Sequence, residues 1–164
     1  MNTQERISKI FDESINLKNR VKADCLDEIM RGFELINETL ASGNKLLIFG
    51  NGGSAADAQH FACEIVGRCV SESPARPAIS LNADSTILTA ASNDYGFESV
   101  FARQIEAHAK QGDLVIGITT SGNSPNICLA FETARKKGVR SLGLLGNDGG
   151  KALEMVDHAV VVPS

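Results

Sequence analysis

The chain has 164 residues, a formal net charge of −4, and 43% hydrophobic against 22% charged residues. That length suits one compact domain with a real core, and a pI near 5.4 argues against a nucleic-acid partner, which ordinarily meets a basic face. No run of about 18 apolar residues occurs, so no membrane span is expected, and the polar stretch Met1 to Asp12 reads as helix rather than as a secretion signal.

Residues 4–42 read as two helices. In the second, Leu26, Ile29, Met30, Phe33, Ile36 and Leu40 recur at spacings of three and four and form one apolar stripe. Ala41-Ser42-Gly43-Asn44 then ends the helix. From Lys45 onward, apolar runs near 45–49, 77–81, 113–118, 140–145 and 158–162 read as strands, and helical patterns fall near 54–67, 97–110, 124–138 and 149–155. Such alternation predicts a three-layer α/β sandwich around a five-stranded parallel sheet of flavodoxin-like type, with an N-terminal helical pair. One domain is expected over 1–164, in which 1–42 pack on the sheet and 43–164 supply the sheet and its crossover helices. Arg135-Lys136-Lys137, the one compact basic run, sits at a helix C-terminus, where cations complement the dipole. Val162-Pro163-Ser164 comes directly after the last strand, and a further helix covering that edge is expected to follow it. Cys25, Cys63, Cys69 and Cys128 show no C-x-x-C or zinc-ribbon spacing and read as reduced thiols of a cytoplasmic protein.

Two loops carry the chemistry. Gly50-Asn51-Gly52-Gly53-Ser54 and Thr119-Thr120-Ser121-Gly122-Asn123-Ser124 each follow a strand and open onto a helix. Ligands of parallel sheets bind outside the carboxyl ends of the strands, and the unpaired N–H groups of a helix start attract an anion. The first loop happens to satisfy G-x-G-x-x-A, but Asp84 lies past the place where a dinucleotide fold wants its acidic residue. No Gly-Lys-Ser/Thr follows either, so it is not a P-loop. Its bland alternative is a tight turn capped by Ser54. The second loop has more hydroxyls than capping requires, which suits a monophosphate, against the alternative of a cluster of serine and threonine turns.

On the helix from Ser54, Ala58, Phe61, Ala62 and Ile65 form the stripe expected on the sheet. Asp57, His60, Glu64 and Arg68 lie along another stripe, with His60 and Glu64 one turn apart. That pair reads either as an exposed ionic contact or as an acid/base couple and half of a metal site. Asn93-Asp94-Tyr95-Gly96 reads as a capped turn before the helix at 97–110. Asn147-Asp148-Gly149-Gly150 reads as a turn into the last short helix, and His108 and His158 have no motif around them.

Gly50 to Ser54, His60-Phe61-Ala62-Cys63-Glu64-Ile65-Val66-Gly67-Arg68, Asn93-Asp94-Tyr95-Gly96-Phe97, the Thr119–Ser124 loop and Asp148-Gly149-Gly150-Lys151 together resemble the sugar isomerase (SIS) domain of phosphoheptose isomerases. The match runs in order from about residue 40 to the end. It implies interconversion of sedoheptulose 7-phosphate and D-glycero-D-manno-heptose 7-phosphate at the entry to bacterial heptose biosynthesis. It also implies that Asn51, Gly52, Gly53, Ser54, Glu64, Asn93, Asp94, Thr119, Thr120, Ser121 and Ser124 contact the sugar phosphate. Where Thr119 stands the family often has serine. The resemblance further implies that Glu64 is the catalytic carboxylate and that His60 and Glu64 ligate one zinc per subunit. The remaining ligands, a glutamine and a histidine, are implied on a helix beyond Ser164. A homotetramer with active sites shared between subunits is implied, the N-terminal helices lying at the interface. Two other readings belong to related SIS proteins: a tetrameric scaffold that binds the replication initiator, and a phosphosugar-sensing regulator. Glu64 favours the enzyme, because the reaction requires a base.

Overall fold

The computed structural model describes residues 1–164. Its elements run α1 (Thr3–Asp24), α2 (Leu26–Ala41), β1 (Leu46–Gly50), α3 (Gly53–Val66), β2 (Ala78–Ser80), α4 (Ser85–Tyr95), α5 (Val100–His108), β3 (Leu114–Thr119), α6 (Pro125–Lys136), β4 (Arg140–Gly146) and β5 (His158–Val162). Short 3₁₀ turns occupy Phe97–Ser99 and Gly150–Glu154. All pairings are parallel, in the order β2-β1-β3-β4-β5. The α/β class and all five strands match the expectation.

Strand alternation divides the core in two. Leu47, Phe49 and Val115 point to the face covered by α5 and α6, where Phe101, Ile127 and Phe131 are fully buried. Leu46, Ile48, Leu114 and Ile116 point to the other face, against Ala58 and Ala62 of α3 and Leu40 of α2. Phe49 holds the first layer together, its ring centroid 5.2 Å from that of Phe101 and 5.6 Å from that of Phe131. β3 passes beneath Phe131 only because residue 117 is glycine: a Cβ there would stand 2.3 Å from the phenyl ring.

Four expectations need correction. Asn93-Asp94-Tyr95 is no capped turn but the last turn of α4, a helix the sequence reading passed over, and Gly96 (φ 84°) ends it. The segment is rich in serine, threonine and asparagine, which usually read as loop, yet Asp84 caps it by accepting from Thr86 and Ile87 N–H at 2.9 and 3.1 Å. Thr89 and Ser92 then donate back to carbonyls within the helix. Second, the cap of α3 is Gly52 (φ 58°), not Ser54. Third, α1 buries no residue, so of the N-terminal pair α2 alone reaches the core. Fourth, the stripe on α2 is split. Ile36 and Leu40 turn inward, whereas Leu26, Ile29, Met30 and Phe33 stay exposed, because α2 lies on the sheet through Gly32, against Leu142, His158 and Val160.

Candidate functional site

β1 and β3 are neighbours, with Gly50 opposite Ile118, and the strand order reverses between them. The Gly50–Ser54 and Thr119–Ser124 loops therefore leave the sheet side by side at its switch point, where α/β sheets bind ligands. Ser54 and Asp57 from the first side, and Thr119 and Thr120 from the second, line one open cavity of about 340 Å³.

Both loops are stitched by amide side chains. Asn82 reads the Gly50 peptide from both sides, accepting from its N–H at 3.1 Å and donating to its carbonyl at 2.9 Å. Asn51 and Asn126 exchange reciprocal hydrogen bonds, both 2.8 Å. Asn147 donates to the Thr120 carbonyl at 3.1 Å, and Asn123 donates to the Ser121 carbonyl at 2.8 Å. The turn after β4 closes directly on the second loop: Ala152 N–H donates to the Gly122 carbonyl at 2.9 Å, and a Cβ on Gly122 (φ 63°) would sit 1.9 Å from the Gly149 carbonyl.

The donors available to an anion differ from the expected set. α6 opens on Pro125, which has no N–H, and Ile127 N–H is taken by Asn126 Oδ1 and the Ser124 carbonyl. The hydroxyls must then do more than the helix start. Thr119 is 6% exposed, and its Oγ1 accepts from Gly122 N–H at 3.2 Å, bracing the loop from within. Thr120 and Ser121 are exposed and Ser124 is half-buried. The Ser124 side chain makes no capping bond. Positive charge is at hand: burial pushes the Cys128 thiol up, while the nearby Lys151 ammonium pulls against it.

The α3 face behaves as its stripe predicts, with Ala58 and Ala62 buried on the sheet. His60 Nε2 stands 3.2 Å from Glu64 Oε1, with side chains 75% and 32% exposed. Both line an open cavity of about 660 Å³ with Phe61, Ile65, Cys69 and Asp57. Asp57 also borders the cavity at Thr119, so the two lie along one side of α3. Hydrogen bonding to Glu64, and then that carboxylate's charge, push the Cys69 thiol up. As a metal site the donor chemistry suits zinc, which takes imidazole nitrogen and carboxylate oxygen. The chain brings two such donors together, and no group of three or more His, Cys, Asp or Glu side chains is arranged to hold an ion.

Asn93 and Asp94 lie elsewhere. Asn93 donates to Asp94 Oδ1 at 2.8 Å, and Asp94 lines a groove between α4 and α5 with Tyr95, Arg103 and His108. That groove shares no residue with either cavity along α3. Sequence reasoning missed Asn82 and Asn126 altogether and read Asn147 as a turn residue alone. Their partners are 32, 75 and 27 residues away, so no local pattern could reveal them.

A parallel five-stranded sheet with two hydroxyl- and glycine-rich loops at its switch point defines an α/β protein of the SIS class, whose domain model matches residues 10–146. Phosphoheptose isomerase from Citrifermentans bemidjiense is 49% identical over 162 residues, covering 92% of this chain and 83% of that one. The Pelobacter propionicus enzyme of the same name is 61% identical over 127 residues, covering 77% of this chain and 67% of that one. The solved phosphoheptose isomerase of Neisseria gonorrhoeae superposes with a TM-score of 0.93 at 39% identity, covering 99% of this chain and 88% of its own. The chain belongs to the phosphoheptose isomerase family of SIS-domain proteins.

Proposed function

We propose that this protein interconverts sedoheptulose 7-phosphate and D-glycero-D-manno-heptose 7-phosphate, with Glu64 as the proton-transfer group. The observation that carries the reading is the placement of Glu64: half-buried, paired with His60, in a cavity that meets the switch-point cavity at Asp57. Moving the carbonyl from C2 to C1 requires removing a weakly acidic C1 proton while O2 gains one to give an enediol, then delivering a proton to C2 while O1 loses its own. The Glu64 carboxylate takes the C1 proton on one face and returns it to the adjacent carbon. Thr120, Ser121 and Ser124 hydroxyls hold the phosphate, with Lys151 adding charge, so binding energy far from the reacting carbons fixes the sugar. Asn51, Gly52, Gly53 and Ser54 shape the wall between phosphate and carboxylate.

His60 and Glu64 would supply two of the ligands of a zinc ion, whose chemistry when bound is to polarise the substrate oxygen. In this reading the contacts from Asn93 and Asp94, which lie away from both cavities along α3, come from a second subunit of a homotetramer. Ile7, Ile10, Phe11 and Ile15 on α1, with Leu26, Met30 and Phe33 on α2, are exposed and form the apolar surface that a second copy covers. The four thiols are unpaired, in keeping with a cytoplasmic setting.

Glu64→Gln preserves shape and removes the base. It should retain sedoheptulose 7-phosphate binding by calorimetry while turnover falls about a thousandfold; near-normal turnover refutes the assignment.

A further inference from the structure

We infer that Asn126 is a positioning residue that latches the two site loops together through Asn51. The inference rests on the reading that these loops hold the sugar phosphate. Asn126 is 2% exposed, and its carboxamide makes three hydrogen bonds to neighbours. Its Nδ2 donates to Asn51 Oδ1 at 2.8 Å. Its Oδ1 accepts from Asn51 Nδ2 at 2.8 Å and from Ile127 N–H at 3.0 Å. The Asn51 backbone is braced in the turn as well, its carbonyl accepting from Ser54 N–H at 3.0 Å.

Two amides facing each other form a closed pair in which one N–H of each donates to the oxygen of the other, and both of these bonds are lost if either partner rotates. The pair ties the turn after β1 to the first turn of α6, and hence to Ser124 two residues earlier. It complements the sheet, which fixes Gly50 opposite Ile118 but leaves the residues beyond the strand ends free to splay. The spacing between the glycine turn and the hydroxyl loop is the distance a phosphosugar must bridge. An error of about 1 Å in such spacing costs a large factor in rate.

The test combines a double-mutant cycle with amide hydrogen exchange on the full chain. Asn126→Ala and Asn51→Ala should each raise KM for sedoheptulose 7-phosphate about tenfold, with a smaller change in kcat, and should speed exchange at Gly52, Gly53, Thr120 and Ser121. The double variant should be no worse than the worse single, as for two residues acting as one unit. Effects that multiply, or exchange at Gly52 and Gly53 that is unmoved by Asn126→Ala, overturn the latch. If Asn126→Ala does not fold, Asn51→Ala decides: exchange must quicken across Thr119–Gly122 on the opposite loop, and unchanged exchange there overturns the inference. If the unmodified chain does not turn over the heptulose phosphate, the isomerase reading alone fails, and exchange still settles whether the loops are latched.

Discussion

The two ends of the sheet are fastened by different chemistry. At the amino end the fasteners are aspartates. Asp113 accepts from Lys45 N–H at 3.0 Å and Lys110 N–H at 2.8 Å, and pairs with the Lys45 ammonium, joining the starts of β1 and β3. Asp157 accepts from Ser141 N–H and Oγ at 2.8 and 2.9 Å, joining β4 to β5. At the carboxyl end the two site loops are fastened by asparagines: Asn51, Asn82, Asn126 and Asn147. A carboxamide makes the same span and geometry as a carboxylate without its charge. Bracing the two site loops with carboxamides adds no negative charge beside a bound phosphate, whereas the opposite end can use carboxylates freely.

The sharpest way to break the contrast is Gly122→Ala. The added methyl meets the Gly149 carbonyl at 1.9 Å and the backbone is left-handed, so the hydroxyl loop must shift as a body. kcat/KM for sedoheptulose 7-phosphate should fall about a hundredfold, read by steady-state kinetics. At the other end, Asp113→Asn should lower unfolding free energy by about 2 kcal/mol in urea titration and leave kcat/KM of the folded protein unchanged.

The same carboxylate gives a pH signature. Burial alone would push the Asp113 carboxyl up, but the Lys45 side chain and the two backbone donors outweigh it, and the group titrates below the usual range. A depressed acid stabilises the fold above its unfolded value of about 3.9 and loses that contribution as pH falls through its folded value. Acid denaturation followed by circular dichroism should therefore carry a component below about pH 4 that Asp113→Asn removes. The gentlest probe is Asn147→Asp, which keeps a residue tolerant of φ 51° and adds one negative charge beside the hydroxyl loop. KM should rise about threefold at low ionic strength and recover as salt screens the charge; a salt-independent rise would mean that the turn itself had moved.

What the sequence disclosed follows from range. The strands and the α3 stripe are periodic, so Ala58 and Ala62 were legible on the sheet and His60 and Glu64 on one outward row. The Gly50 and Thr119 loops were legible because turn residues cluster there. α4 was hidden because hydroxyls that normally signal a loop are satisfied inside the helix. The Ser54 cap failed because glycine can start a helix without a side-chain acceptor. The pairings of Asn82, Asn126 and Asn147 were beyond reach in principle, since each is defined by a partner 27 or more residues away.

α1 offers a last consequence. A helix of 22 residues with nothing buried gains little from its own chain and is marginal in water without tertiary support. If a second copy covers it, as proposed above, its order depends on protein concentration, and dilution should fray this segment while the sheet beneath stays intact. Helicity measured across a concentration series would register that melting as a bimolecular event, separate from the cooperative collapse of the domain on heating.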